Sequence, residues 1–315
     1  MDLVEEIASD SIGDIAVAAV DTLGRILARE ESPTNPQSGF PAAMDRVQAM
    51  LERAIGRAQL PLQGIGIGCT GPVDPVSGEI GAVDFLSGWR GCNPVAALAQ
   101  RFGVRVAMEN DADAMALGEL AFGAGRASRH LICITVGTGI GGGIVVGGQL
   151  YRGVGGAHPE VGHHVIDPHG PECFCGARGC WEVLARGPAM VQRVLDTAPA
   201  DYAHRDGLTA ERLCQLARNG DAVALEEVGR ESSHLATGIA NLVTLFTPEV
   251  IVLSGSVMQS ADLFLPAIRA RVRRQCGLVP AASVDIRLSS LGADAPLIGA
   301  AMVCGHRFQE TAAAC

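Results

Sequence analysis

The chain reads as an α/β protein of two related lobes with a cleft between them, and three observations predict it. Short apolar runs of strand length alternate with longer stretches that carry apolar residues at helical spacing. Each half repeats a strand, a glycine turn and a second strand, followed by helices. The 315 residues include 48% hydrophobic residues and 40 glycines, enough for two filled cores and many tight turns. Aromatic residues make up only 4%, so Val, Leu, Ile and Ala must build those cores.

In the first half, Ile15–Val20 and Arg25–Arg29 are strand-like and joined by the turn sequence Asp21-Thr22-Leu23-Gly24. Met44, Val47, Leu51 and Ile55 give helical spacing to Pro41–Ala58. Ile65–Cys69 is a short strand ending in Thr70-Gly71-Pro72. A helix at Asn93–Phe102, a strand at Val104–Met108 and a helix from about Asp111 to Phe122 follow. The second half opens with strands Leu131–Val136 and Ile140–Val146 around Gly137-Thr138-Gly139. Helices over Ala210–Asn219 and Ala222–Phe246 follow, the latter with Leu225, Val228, Leu235, Ile239 and Leu242 on one apolar face. Strand Val250–Leu253, a helix at Ala261–Gln275, strand Val284–Leu288, loop Gly292–Ala295 and helix Pro296–Cys304 complete the chain. The expected lobes are 1–112 and 113–315, with the last helix packing back on the first.

The formal charge is −10, from 24 Lys and Arg against 34 Asp and Glu. That balance argues against nucleic acid or an anionic membrane as partner, since neither offers a counter-charge to an acidic surface. The start, MDLVEEIASD, lacks a signal peptide's basic and apolar regions, and no apolar run reaches membrane-spanning length. Ten cysteines suit a reducing compartment better than a disulfide framework, so a cytoplasmic location is expected.

The segment from His163 to Cys180 carries the strongest chemical signal. Cys173, Cys175, Cys180 and His163 make a complete tetrahedral set for a structural Zn²⁺, and Gly176 and Gly179 let the backbone wrap around it. If one ring nitrogen of His163 binds the metal, the other can serve a substrate hydroxyl or a carboxylate. Glu160 can accept from another hydroxyl. Glu182 can reach the same substrate or cap the next helix. His164 and His169 read as surface residues, and Trp181 as packing near the cluster.

Glu109-Asn110-Asp111-Ala112-Asp113 stands where a strand hands over to a helix, the end at which such sheets collect ligands. Asp111 is the candidate general base beside Asn110; its alternative role is a helix cap. Asp113 reads as a first-turn charge facing the helix dipole. Gly137 to Gly143 is a glycine-rich bend that offers backbone amides and the Thr138 hydroxyl to phosphate, or is only a tight hairpin. It is neither a P-loop nor a dinucleotide fingerprint, because it joins two strands.

Together these motifs resemble the ROK family of bacterial sugar kinases and sugar-responsive regulators, over about Asp21 to Gly305. The most specific stretches are Glu160-Val161-Gly162-His163 with Cys173-Phe174-Cys175-Gly176-Ala177-Arg178-Gly179-Cys180-Trp181-Glu182, and Glu109 to Ala114. Gly68 to Asp74, Gly137 to Gly143, Ser254-Gly255-Ser256 and Ala293 to Ala301 match further family segments. The resemblance implies the actin-like ATPase (ribonuclease H-like) fold and usually a homodimer. It implies that a hexose, glucose first, is phosphorylated on its primary hydroxyl by ATP with Mg²⁺, with Asp111 as base. Gly71, Asp84, Asn110, Glu160, His163 and Glu182 would contact the sugar. Gly137, Thr138, Gly139 and Gly255 would contact the nucleotide.

The sequence departs from the family pattern at three places. Ser9-Asp10-Ser11-Ile12-Gly13-Asp14 stands in place of an Asp-x-Gly-Gly-Thr-Lys-like phosphate loop, with Asp14 where the Lys would be. Asp10 or Asp14 would then approach the Mg²⁺ side of the triphosphate. Asp84 stands near a usual sugar-contacting Asn. His158-Pro159 resembles the fructokinase-like branch, whereas the Cys-x-Cys pattern resembles the glucokinase branch. A kinase for fructose or N-acetylmannosamine, or a sugar-binding regulator with impaired phosphoryl transfer, are the alternatives. With some fourteen residues before the first firm strand, a DNA-binding repressor is not expected.

Overall fold

A computed structural model describes residues 13–83, 86, 88–200 and 202–313, with side chains through residue 307. Asp10 and Asp84 lie outside the described residues. Contacts group the chain into two compact units, the first comprising residues through Arg126, Leu150–Pro159 and Leu291 onward, the second Ala127–Gln149 and Glu160–Ser290.

The first unit opens with the antiparallel pair β1 (Asp14–Val20) and β2 (Ile26–Pro33). Asp21 shapes their turn by accepting the N–H groups of Leu23 and Arg25, each at 2.9 Å. Helix α1 (Phe40–Ala58) buries Met44, Val47, Met50 and Leu51, the stripe that its spacing predicts. Strand β3 (Gly64–Cys69) is followed by the small ribbon β4 (Val73–Asp74) and β5 (Glu79–Ile80). Helix α2 (Pro94–Phe102) starts where Asn93 Oδ1 accepts the Ala96 N–H at 2.8 Å. Strand β6 (Arg105–Asn110) pairs in parallel with β3 and passes directly into α3 (Asp111–Ala121). Val17, Met44, Ile65, Leu98 and Met108 share one core.

The second unit is built on β7 (Leu131–Val136), β8 (Ile140–Val146) and β9 (Gln149–Leu150). Its helices are α4 (Trp181–Ala185), α5 (Gly187–Thr197), α6 (Ala210–Arg218) and the long α7 (Ala222–Phe246). Strand β10 (Val250–Ser254), α8 (Ala261–Gln275) and β11 (Asp285–Leu288) follow. The sheet runs β11-β10-β7-β8-β9, with β7 antiparallel to β8 and parallel to β10. The unbroken apolar strands LICITV and VIVL occupy its middle, as strands covered on both faces require. One expectation needs correction here, and one helix was not foreseen. Leu225 is exposed, because the core-facing side of α7 begins at Ala224 and Val228. Helix α5 follows Arg186-Gly187-Pro188, whose Pro at the helix start signals it together with buried Met190 and Val194. No described helix is long and apolar enough to cross a membrane.

The chain returns to the first unit as α9 (Ala295–Ala313). Helices α3 and α9 cross backbone to backbone: a Cβ on Gly299 would come within 2.0 Å of Ala114 O, and one on Gly118 within 2.9 Å of Gly299 N. A Cβ on Gly66 of β3 would come within 1.7 Å of Ala300 O. Helix α3, beginning at residue 111, therefore lies in the first unit with β3 and α9.

Gly299→Ala should destabilise the protein by about 1–3 kcal/mol, the usual cost of overpacking. Gly305→Ala, in the same helix with open space around it, should be neutral or stabilising by up to about 1 kcal/mol. Denaturant unfolding of the two variants checks the contrast.

Candidate active site

In the first unit, the junction of β6 and α3 presents Asn110 and Asp111. Asn110 is the N-cap, its Oδ1 accepting the Ala112 N–H at 2.9 Å, and Asp111 Oδ1 accepts the same N–H at 2.8 Å. Asp111 thus occupies the first helical position and is open to solvent. Surrounding protein disfavours its charged form and raises its pKa. Asp113 adds to that shift, while the Ala112 N–H and His158 oppose it. Cys69 faces Asn110 across the β3–β6 register, and burial, then the Asp111 charge, push its thiol up to about 12. Gly71, at φ +82°, leaves the space its Cβ would need to Val83. Asp14 is the exposed first residue of β1.

Asp113 stands in the first turn of α3, as expected, but it is more than a charge at the helix dipole. It is fully buried and holds both Arg152 Nη1, at 2.6 Å, and His158 Nδ1, at 2.7 Å, on Oδ2. Arg152 Nη2 also donates to Glu109 at 2.5 Å. Burial pushes the Glu109 carboxyl up to about 6, and Arg152 limits that rise. These pairs pin Leu150–Pro159 against the turn that carries Asp111. The pairing was not readable from Asp113 alone. Its setting, Ala112-Asp113-Ala114-Met115-Ala116, was a signal, because a charge within so apolar a run needs an internal partner.

In the second unit, the β7–β8 turn and the loop after β10 meet. A Cβ on Gly137 would lie 3.3 Å from Ser256 Oγ, and one on Gly255 (φ +96°) would come within 2.3 Å of Val136 O. Gly137, Thr138, Gly139 and Gly255 are thereby gathered, with Thr138 exposed. Glu182 Oε2 accepts the Ile140 N–H at 2.9 Å, a contact absent from the sequence-based roles for Glu182. Glu160 is exposed, and its carbonyl accepts the His163 N–H at 3.0 Å.

The ligand atoms of His163, Cys173, Cys175 and Cys180 lie within 4.8 Å of one another. Cys173 Sγ is 3.4 Å from His163 Nδ1, and Cys175 Sγ is 3.5 Å from Cys180 Sγ. Bonds of about 2.3 Å to sulfur and 2.0 Å to nitrogen give tetrahedral edges of about 3.5–3.8 Å, so this donor set fits Zn²⁺. Gly176 (φ +92°) and Gly179 (φ +69°) make the bends, and a Cβ on Gly179 would overlap Asp167 O. Burial and the neighbouring thiols push Cys180 up to about 12, a crowding that a bound dication relieves. The Ala177 N–H lowers the Cys175 pKa. His163 Nε2 is left on the side of Glu182 Oε1, 4.0 Å away. His164 is half-buried, contrary to expectation: its Nδ1 lies 2.6 Å from Val161 O and its ring packs on buried Trp181. His169 is exposed.

Residues 12–306 match the ROK family. The chain belongs to that family. This ROK protein is 31% identical over 302 residues to a glucokinase of Thermotoga maritima, covering 93% of this chain and 94% of the relative. It is 34% identical to a ROK family glucokinase from Streptomyces griseus crystallised with glucose and AMPPNP. That match has a TM-score of 0.77 and covers 93% of this chain and 96% of the other. A ROK hexokinase from Thermus thermophilus is 32% identical with a TM-score of 0.82, covering 94% and 96%. The ROK chain thus has the two-domain α/β fold of the actin-like ATPases.

Arg152→Met should leave Glu109 and Asp113 without their shared cation and cost about 3–5 kcal/mol. Denaturant unfolding checks it. The exposed pair Arg178–Glu172 is the control, where Arg178→Met should cost less than about 1 kcal/mol.

Proposed function

We propose that this ROK protein is an ATP-dependent hexose kinase that forms a hexose 6-phosphate, with glucose as first substrate. The observation that carries this reading is Asp111: a solvent-open carboxylate with a raised pKa, at the carboxyl end of a parallel strand, in a family that includes the glucokinases described above. Asp111 accepts the proton of the primary hydroxyl as its oxygen attacks the γ-phosphorus and the bond to ADP breaks. Asn110, Glu160, His163 and Glu182 hold the other hydroxyls, with Gly71 giving close backbone approach and Asp84 as a further contact. Gly137, Thr138, Gly139 and Gly255 hold the nucleotide. Mg²⁺, when bound, neutralises charge on the transferring phosphate, with Asp14 or Asp10 on its side of the triphosphate. His163, Cys173, Cys175 and Cys180 would hold Zn²⁺, which would fix the His163 ring and leave Nε2–H to donate to a hexose hydroxyl. The family resemblance supports a homodimer, the acidic charge balance argues against a nucleic-acid or anionic-membrane partner, and the ten cysteines favour the cytoplasm.

A coupled ADP-release assay across glucose, fructose and N-acetylmannosamine tests the activity, with glucose expected to give the highest kcat/KM. Hexose binding by calorimetry without ADP release for any sugar would leave a sugar-binding protein instead. Asp111→Asn should lower kcat by at least about a hundredfold while hexose affinity stays within a few-fold. The base must be ionised, so kcat should fall as pH drops through a value above the ordinary Asp range of about 3.9.

Elemental analysis should find about one zinc per chain. Chelation should lower both the melting temperature and hexose affinity. Metal-free protein with an unchanged melting profile would refute the zinc assignment.

A further inference from the structure

Helix α4 grips the β7–β8 turn from both of its ends. Glu182, in the first turn of α4, accepts the Ile140 N–H through Oε2 at 2.9 Å. Gly187, just past the end of α4, donates its N–H to Gly137 O at 2.8 Å. Inside the turn, the Gly137 N–H donates to Gly139 O at 2.9 Å. Among the described residues, the N–H groups of Thr138 and Gly139 have no partner, so these are the amides left to meet a phosphate. Gly139 also makes room for the carboxylate, because a Cβ there would come within 2.6 Å of Glu182 Oε2.

The same carboxylate faces the metal cluster with its other oxygen, Oε1 lying 4.0 Å from His163 Nε2. The Glu182 side chain is 13% exposed, so Oε1 stays within reach of a small ligand. Its backbone is fixed from beneath: Trp181, beside it, is fully buried on Gly238 of α7, and Cys180 belongs to the cluster. The carboxylate is therefore held at its root and free only to turn about its last bonds.

We propose that Glu182 is the link through which a bound hexose sets the phosphate-binding turn. The inference rests on the kinase reading. A hexose hydroxyl donating to Oε1 fixes the carboxylate torsion and so keeps Oε2 on the Ile140 amide. With Oε1 unengaged, the carboxylate rotates, the Ile140 amide loses its acceptor part of the time, and the turn loosens. Hexose then tightens nucleotide binding, and by linkage nucleotide tightens hexose binding by the same factor. Phosphoryl transfer to a bound sugar is favoured over transfer to water, because the phosphate amides are well placed only when sugar is present. Glu182 acts on the nucleotide as a positioning residue.

Amide hydrogen exchange at Ile140, measured with and without saturating glucose, tests the link without requiring turnover. In the natural protein, glucose should slow Ile140 exchange by about tenfold, the scale of one net hydrogen bond. Glu182→Gln keeps an acceptor for the amide, so its exchange without sugar should stay within about twofold of the natural protein. Glu182→Ala removes the acceptor and should exchange about tenfold faster, with no response to glucose. Gly139→Ala, which drives the carboxylate off, should behave like Glu182→Ala. Binding of Mg²⁺–AMPPNP by calorimetry should tighten with glucose only where Ile140 is protected. Ile140 exchange that ignores glucose, or a Glu182→Ala variant that protects Ile140 normally, overturns the proposal. ADP release with glucose-independent exchange would keep the kinase reading and sink the link. Glucose-dependent exchange without ADP release would do the reverse.

Discussion

The candidate base is only as well placed as the helix it begins, and that helix is seated by a crossing with no side chain in it. Gly118 and Gly299 let α3 and α9 touch backbone to backbone, while Gly66 does the same for β3 against α9. Direct backbone contact leaves no side chain to shift rotamer, so the position of Asp111 is set by main-chain geometry. Asn110 then closes the first turn from the strand side. An active carboxylate needs this, since a small displacement of a catalytic group carries a large kinetic penalty.

A second constraint is electrostatic. The first unit buries two carboxylates, Glu109 and Asp113, beneath the turn that carries Asp111, and supplies Arg152 and His158 to meet them. Such pairs add little net stability compared with apolar packing, but losing one partner is costly. Their effect here is on geometry and on charge. They tie Leu150–Pro159 to α3, and the Asp113 and His158 charges act in opposite senses on Asp111. The Asp111 carboxyl is therefore influenced by groups further along its helix and in Leu150–Pro159.

The second unit answers the same need for placement with different materials. Aromatic residues are scarce, and Trp181 is spent where it fixes α4 against α7, with Gly238 giving it room. The segment that precedes it gathers four side chains able to hold a metal ion. Glu182 follows at once, and its contact with Ile140 joins the start of α4 to the glycine turn. Within this short, irregular segment a set of four possible metal ligands, a buried ring and a helix start coincide.

What the sequence determined by itself was whatever depends on neighbours along the chain. Periodicity marked α1 and α7, apolar runs marked β7 and β10, and the glycine pair at Gly176 and Gly179 with three cysteines and His163 marked the candidate metal set. The family signature followed from those same local patterns. What only the tertiary structure decided was the partner of each long-range charge and the face of each ambiguous helix. Asp113 looked like a dipole charge because its partners, Arg152 and His158, lie far along the chain. Leu225 fitted an apolar stripe, yet the stripe that reaches the core starts one position earlier. Ion pairs and buried faces are set by which elements are brought together in space, and local sequence carries no record of that distance.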